Sequence, residues 1–144
     1  MRLTLEETLH RIGQMLTQRI APDVSHDFVA QSARLSAGAL NICANWIDDA
    51  AELRVDENAA IRALLGEIEE VAEGDLALRL GEAAASADPG LKISVLDGEN
   101  NRLRRLLVEA QGWLEAQESA SESALDAKVW ALLEKIELSR APRE

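Results

Sequence analysis

Apolar residues recur every three or four positions along most of this 144-residue chain, the period of a helix with one buried face. Leu5, Leu9, Ile12, Leu16 and Ile20 form the first such stripe. Thr4 followed by Glu7 fits a capping box, in which each side chain satisfies the other residue's backbone amide. Pro22 biases Ala21 away from helical angles and predicts the end of this helix, with Ser25 or Asp23 capping the next.

The second stripe is the most regular. Phe28, Ser32, Leu35, Ala39, Ile42 and Trp46 alternate steps of four and three, as a bundle seam does, and Val29, Leu40, Cys43 and Ile47 widen it. The pattern predicts a central helix, rich enough in Ala, Ser and Gly for a neighbouring backbone to approach closely. Asp48, Asp49 and Glu52 interrupt the stripe, and its phase slips between Leu53 and Ile61. A break near Arg54 to Asp56, with Asp56 as cap, accounts for both; one long bent helix is the rival reading.

A third helix is expected over about 56–72, with Ile61, Leu64, Leu65, Ile68 and Val71 inward, stopped at Glu73-Gly74-Asp75. A short helix carries Leu76, Leu80 and Ala84. Ser86 to Gly90 reads as a loop, with Asp88 before Pro89 as a helix start. A fourth helix carries Ile93, Leu96, Leu103, Leu106, Ala110 and Trp113 to about Glu118, with a start delayed to Asp97 as an alternative because Gly98 lies inside it. Ser123 and Asp126 cap a last helix with Leu125, Val129, Leu132 and Ile136 inward, and Ser139 to Glu144 should fray. No stretch reads as a strand. The expected fold is all-α: one domain over residues 1–144, a mostly antiparallel helical bundle of four main helices or five, with one short connecting helix.

Composition supports helix and narrows function. Ala, Leu, Glu and Arg are abundant, whereas the aromatics are Phe28, Trp46, Trp113 and Trp130 with no Tyr. Fifteen basic residues against 26 acidic give a net charge of −11, which disfavours phosphate backbones and anionic membrane surfaces. Cys43 is the single cysteine, so no internal disulfide can form. Glu6 and Glu7 stand where a signal peptide needs apolar residues, and no run has the length of a membrane span. These features predict a cytoplasmic protein.

One phrase is written twice. DENAAIRALLGE (56–67) and GENNRLRRLLVE (98–109) share Glu57/Glu99, Asn58/Asn100, Arg62/Arg104, Leu64/Leu106, Leu65/Leu107 and Glu67/Glu109, with Ile61 matching Leu103. Each Glu falls four residues before a seam residue, so two carboxylates aim at the bundle face. A di-iron carboxylate site would use such a pair, but it also needs a Glu-x-x-His motif on two helices. Residues 60 and 102 are Ala60 and Arg102, and the two histidines, His10 and His26, fall far apart along the bundle; no metal and no cofactor are expected.

Asn58 and Asn100, beside the seam, can fix register by demanding a hydrogen-bond mate, which Asn41 or Asn45 could supply. Arg102, Arg104 and Arg105 form the dense basic cluster, either for an anionic ligand or paired with Glu99 and Glu109 on the same helix. Cys43 reads as an inert core thiol, and no phosphate-binding glycine loop or nucleophile elbow is present.

Two functional readings follow. The first is a binding or interaction module with a protein partner, or a homo-oligomer whose seam uses the second and fourth helices; neither nucleic acid nor membrane is expected as a partner. The second is a ligand-binding or enzymatic bundle with a polar pocket from Asn41, Asn45, Glu57, Asn58, Glu99, Asn100 and Arg104.

Overall fold

Thr4 caps the first helix as its sequence predicts: its Oγ1 accepts from the Glu7 amide at 3.1 Å, and Glu7 Oε2 accepts from the Thr4 amide at 2.9 Å. That helix, α1 (Leu5–Met15), opens a computed structural model that describes residues 3–117 and 119–141. The described chain is all-α, 83% helical and without a strand, a helical bundle whose six longer helices include one short connector. No described helix is long and apolar enough to cross a membrane. The predicted end of the fourth helix at Glu118, and the fraying expected at Pro142 to Glu144, lie outside the described residues.

Pro22 does not stop α1 by simple termination. The helix widens into a π turn (Leu16–Ile20), and the Ala21 amide bonds back to the Leu16 carbonyl, five residues earlier. Pro22 then lies in a three-residue helix, α2 (Ala21–Asp23), that continues the π turn directly, with Ala21 itself at helical angles. An extended link leads to α3 (Asp27–Ile47), which starts after His26 rather than after Ser25 or Asp23. The break that follows falls at Asp48 and Asp49, earlier than the phase slip suggested, and α4 (Ala50–Glu69) continues through Arg54 to Asp56 without interruption.

The chain forms two compact units, one up to Ala50 and one over Ala51–Ala141. In the first, α1 and α3 form an antiparallel hairpin: His10 pairs with Asn41, and Gly13 lies against Ala37. The buried seam of α3 is Ala30, Ala37 and Ala44, at intervals of seven residues. These small side chains, with Gly13 facing them, let the two backbones run close together. A Cβ on Gly13 would lie 2.9 Å from Asn41 Oδ1 and 3.4 Å from the Ala37 carbonyl. The stripe that periodicity marked as the packed seam instead points outward. Phe28, Leu35, Ile42 and Trp46 are exposed, and so is Cys43, which is therefore not a core thiol.

The second unit is packed differently. The α4 helix is followed by α5 (Gly74–Ala84), α6 (Ile93–Glu115) and α7 (Ala120–Arg140). Gly74, with φ of 66°, makes the turn into α5, a backbone conformation that other residues resist. Gly66 beside Ala84 and Glu69 beside Gly81 show α5 running antiparallel to α4. Arg79 on Glu109 and Ser86 on Arg102 show it antiparallel to α6. Glu67 on Lys128 and Glu57 on Arg140 set α7 antiparallel to α4. The helices thus run up, down, up, down, and α4 and α6 are parallel.

Between them lies an apolar core whose large side chains are Ile61, Leu64, Leu65 and Ile68 from α4, Leu80 from α5, Leu103, Leu106, Leu107 and Leu114 from α6, Val129 and Ile136 from α7. Each fully buried aliphatic side chain contributes about 2 kcal/mol of transfer free energy. The α6 helix begins at Ile93, without delay at Gly98, and α7 begins after Ser119, earlier than the expected Ser123 cap.

The alanine seam gives a direct test. Ala37→Leu adds volume where two backbones touch and should destabilise the first unit by about 1–3 kcal/mol. Ser36→Leu, one residue earlier and exposed, should change stability by less than about 0.5 kcal/mol. Native-state hydrogen exchange of the α1 and α3 amides measures both.

Candidate functional site

The twice-written phrase folds into equivalent positions on the parallel helices α4 and α6. Five matched pairs share their burial: Glu57 and Glu99, Asn58 and Asn100, Ile61 and Leu103, Leu64 and Leu106, Leu65 and Leu107 are all buried, whereas Arg62 is buried and its match Arg104 is half-buried. Because the helices are parallel, Asn58 and Asn100 come level. Asn100 Nδ2 donates to Asn58 Oδ1 at 2.9 Å and to Glu57 Oε1 at 2.8 Å. The sequence left three places open for these amides, a mate on α3, each other or water, and they meet each other.

The charges cross. Arg104 of the second copy donates to Glu57 of the first through Nε at 2.9 Å and Nη2 at 2.7 Å. Arg62 of the first copy donates to Glu99 of the second at 2.7 Å. Each arginine sits five positions beyond the glutamate level with it and reaches back towards the N-terminal end, the direction in which helical side chains lean. Exchanging α4 with α6 carries one ion pair onto the other. Parallel coiled coils use the same device, with a polar amide in the seam and flanking charge pairs between helices.

Other segments close the network. Asp88 Oδ1, from the loop between α5 and α6, accepts from Asn58 Nδ2 at 2.9 Å and Arg62 Nη2 at 2.8 Å. Ser86 Oγ accepts from Arg62 Nε at 3.1 Å and Arg102 Nη2 at 3.0 Å. Arg102 also holds Glu99, through Nε at 2.9 Å and Nη2 at 2.7 Å. Arg140 donates to Glu57 Oε2 at 2.7 Å, so the end of α7, expected to fray from Ser139, is tied down as far as Arg140. Asp88 was read as a helix start; its carboxylate is instead drawn inward by an amide and a guanidinium.

Among the described residues no buried side-chain nitrogen or oxygen lacks a partner. The carboxylates respond accordingly. Burial pushes the Glu57 carboxyl up, but hydrogen bonds from Asn100, Arg104 and Arg140 outweigh it and hold the group below its ordinary value. The Arg102 hydrogen bond draws Glu99 down to about 2, against the opposing effect of burial and with help from Arg62. Both glutamates are therefore anions with their oxygens facing guanidiniums and amides. No group of three His, Cys, Asp or Glu side chains among the described residues is arranged to hold an ion.

Five of the seven sequence-predicted site residues, Glu57, Asn58, Glu99, Asn100 and Arg104, thus meet in one cluster. Asn41 and Asn45 belong to the first unit, both exposed, and Asn41 Oδ1 lies 3.2 Å from His10 Nδ1. The basic cluster divides. Arg104 turns to Glu57 and Arg102 to Glu99, while Arg79 of α5 takes Glu109, the residue expected to pair with Arg105. Arg79, Arg102 and Arg105, with Glu82, Ser86 and Glu109, line an open groove of about 570 Å³.

Neither a protein-family model, nor a curated protein, nor a solved structure matches this chain.

Two predictions test the network. Asn100→Asp keeps the shape but replaces both donated hydrogen bonds with a carboxylate facing Glu57. It should cost about 2–4 kcal/mol in denaturant unfolding, whereas Asn101→Asp, at an exposed neighbour, should cost less than about 0.5 kcal/mol. The second concerns acid. Because Glu99 is held at about 2 when folded against an ordinary value of 4.5, its stabilisation is fully present above that ordinary value. It is lost as pH falls from 4.5 towards 2. Denaturation midpoints measured down this range should fall steeply in the parent protein and less steeply in Glu99→Gln, which starts from a lower stability at neutral pH.

Proposed function

We propose that this protein is a binding module rather than a catalyst, and that it engages another protein surface through the outer face of α3. The observation that carries the reading is the exposure of the largest side chains of that helix: Phe28 at 74%, Leu35 at 69%, Trp46 at 45% and Ile42 at 43%. They lie in a row on the side of α3 away from the alanine seam. Scattered apolar residues on a surface need no explanation, but a contiguous stripe that includes Phe and Trp marks an interaction face.

The polar cluster on α4 and α6 gives less support to a ligand pocket, because its donors and acceptors already engage one another. The reading also fits the −11 charge, which disfavours nucleic acid and anionic membranes as the surface engaged. A single exposed thiol without a disulfide partner suits a reducing compartment, so the cytoplasm is the proposed location.

Site-specific photo-cross-linking tests the reading in cells. A benzophenone amino acid replacing Leu35 or Phe28 should give an ultraviolet-dependent adduct of higher mass. The same probe at Ser36, off the stripe, should give little. Absence of any adduct at positions 28 and 35 above the Ser36 level would remove the reading.

A further inference from the structure

The geometry points to a second copy of this chain as the occupant of the α3 face, paired antiparallel and centred on Leu35. This inference rests on the binding reading above and names its partner. Phe28, Leu35 and Ile42 are spaced by seven residues on either side of the centre. In two antiparallel copies crossing at Leu35, Phe28 of each meets Ile42 of the other, and the two Leu35 side chains meet on the twofold axis. Close to the centre, Ser32, Gly38 and Ala39 are small and permit a close approach. A self-complementary patch of this kind is what an isologous interface requires.

Charge favours the same partner. The 21 residues of α3 contain two charged side chains, Asp27 and Arg34, of opposite sign. This face therefore brings no net charge to a twin, although the whole chain carries −11. Arg34, the charge nearest the centre, sits roughly 100° around the helix from Leu35, in solvent.

The area also fits. The exposed parts of Phe28, Leu35, Ile42 and Trp46 amount to on the order of 450 Å² of apolar surface per copy. A standard interface buries ~800 Å² per partner, of which roughly 500 Å² is apolar in homodimers.

Sedimentation equilibrium of the purified full chain should give a mass approaching twice 15.7 kDa with rising concentration, and Leu35→Glu should return it to one chain. In a Cys43→Ser background, Leu35→Cys should be joined to its twin by a short bis-maleimide. Phe28→Cys alone should not, since antiparallel pairing sets those positions ~21 Å apart along the axis; mixed with Ile42→Cys, it should. A single-chain mass at every concentration overturns self-pairing. If position 35 still cross-links to a different protein in cells, the binding reading survives with another occupant; if it cross-links to nothing, both fall. A dimer that Leu35→Glu leaves intact, or in which Phe28→Cys joins its twin as fast as Leu35→Cys, overturns the antiparallel arrangement.

Discussion

The amide pair Asn58–Asn100, with Glu57–Arg104 and Glu99–Arg62 crossing beside it, constrains everything else in the second unit. Burying two carboxylates and the Arg62 guanidinium, with Arg104 half-buried beside them, costs several kcal/mol per buried ion in lost hydration, and mutual attraction repays that only with good geometry and full hydrogen bonding. Here the condition is met in one register. Sliding α6 by a turn along α4 would separate both pairs and leave buried charges unmatched. The apolar residues alone select register less sharply, because Ile61, Leu64, Leu65 and Ile68 of α4 and Leu103, Leu106, Leu107 and Ala110 of α6 recur at the same three- and four-residue steps. The polar cluster therefore selects the parallel, level arrangement, while the leucines supply most of the free energy.

The same cluster explains why a loop and a helix end are ordered. Arg62 and Asn58 leave donors pointing away from α6, and Asp88 and Ser86 are drawn in to accept them. Glu57 has a second oxygen beyond the reach of Arg104, and Arg140 fills it from the end of α7. The loop and the helix end thus respond to unsatisfied valences set by the first two helices.

Much of this was legible in the residues, and the failures are instructive. The repeated phrase placed Glu57 and Glu99 on the bundle face, where both are buried, and the Thr4–Glu7 box and the Gly74 turn were readable because each depends on neighbours in sequence. The clamp residues Asp88, Ser86 and Arg140 were not, since the groups that draw them in lie 16 or more residues away. The α3 stripe was misread for a related reason. Periodicity reports that a helix has an apolar face, but a helix with both an alanine seam and a Phe–Leu–Ile–Trp stripe has two. Small side chains allow the closer backbone approach, so the hairpin closed on the alanines and left the larger residues outside.

That choice has a consequence for charge. Helices α4, α6 and α7 each carry seven ionisable Asp, Glu, Lys or Arg residues, against two on α3. Charged side chains on those helices cover the flanks of a core and keep it dispersed in water. A helix with so few charges and with its largest apolar groups in solvent has little such protection and is an aggregation liability. In a chain this acidic, carboxylates are plentiful, and one or two on the stripe would remove the liability at little cost to the hairpin, whose seam faces the other way. Their absence from that face is a property the hairpin does not require, and it becomes intelligible once the stripe is covered by a surface on which a charge would be buried without a partner.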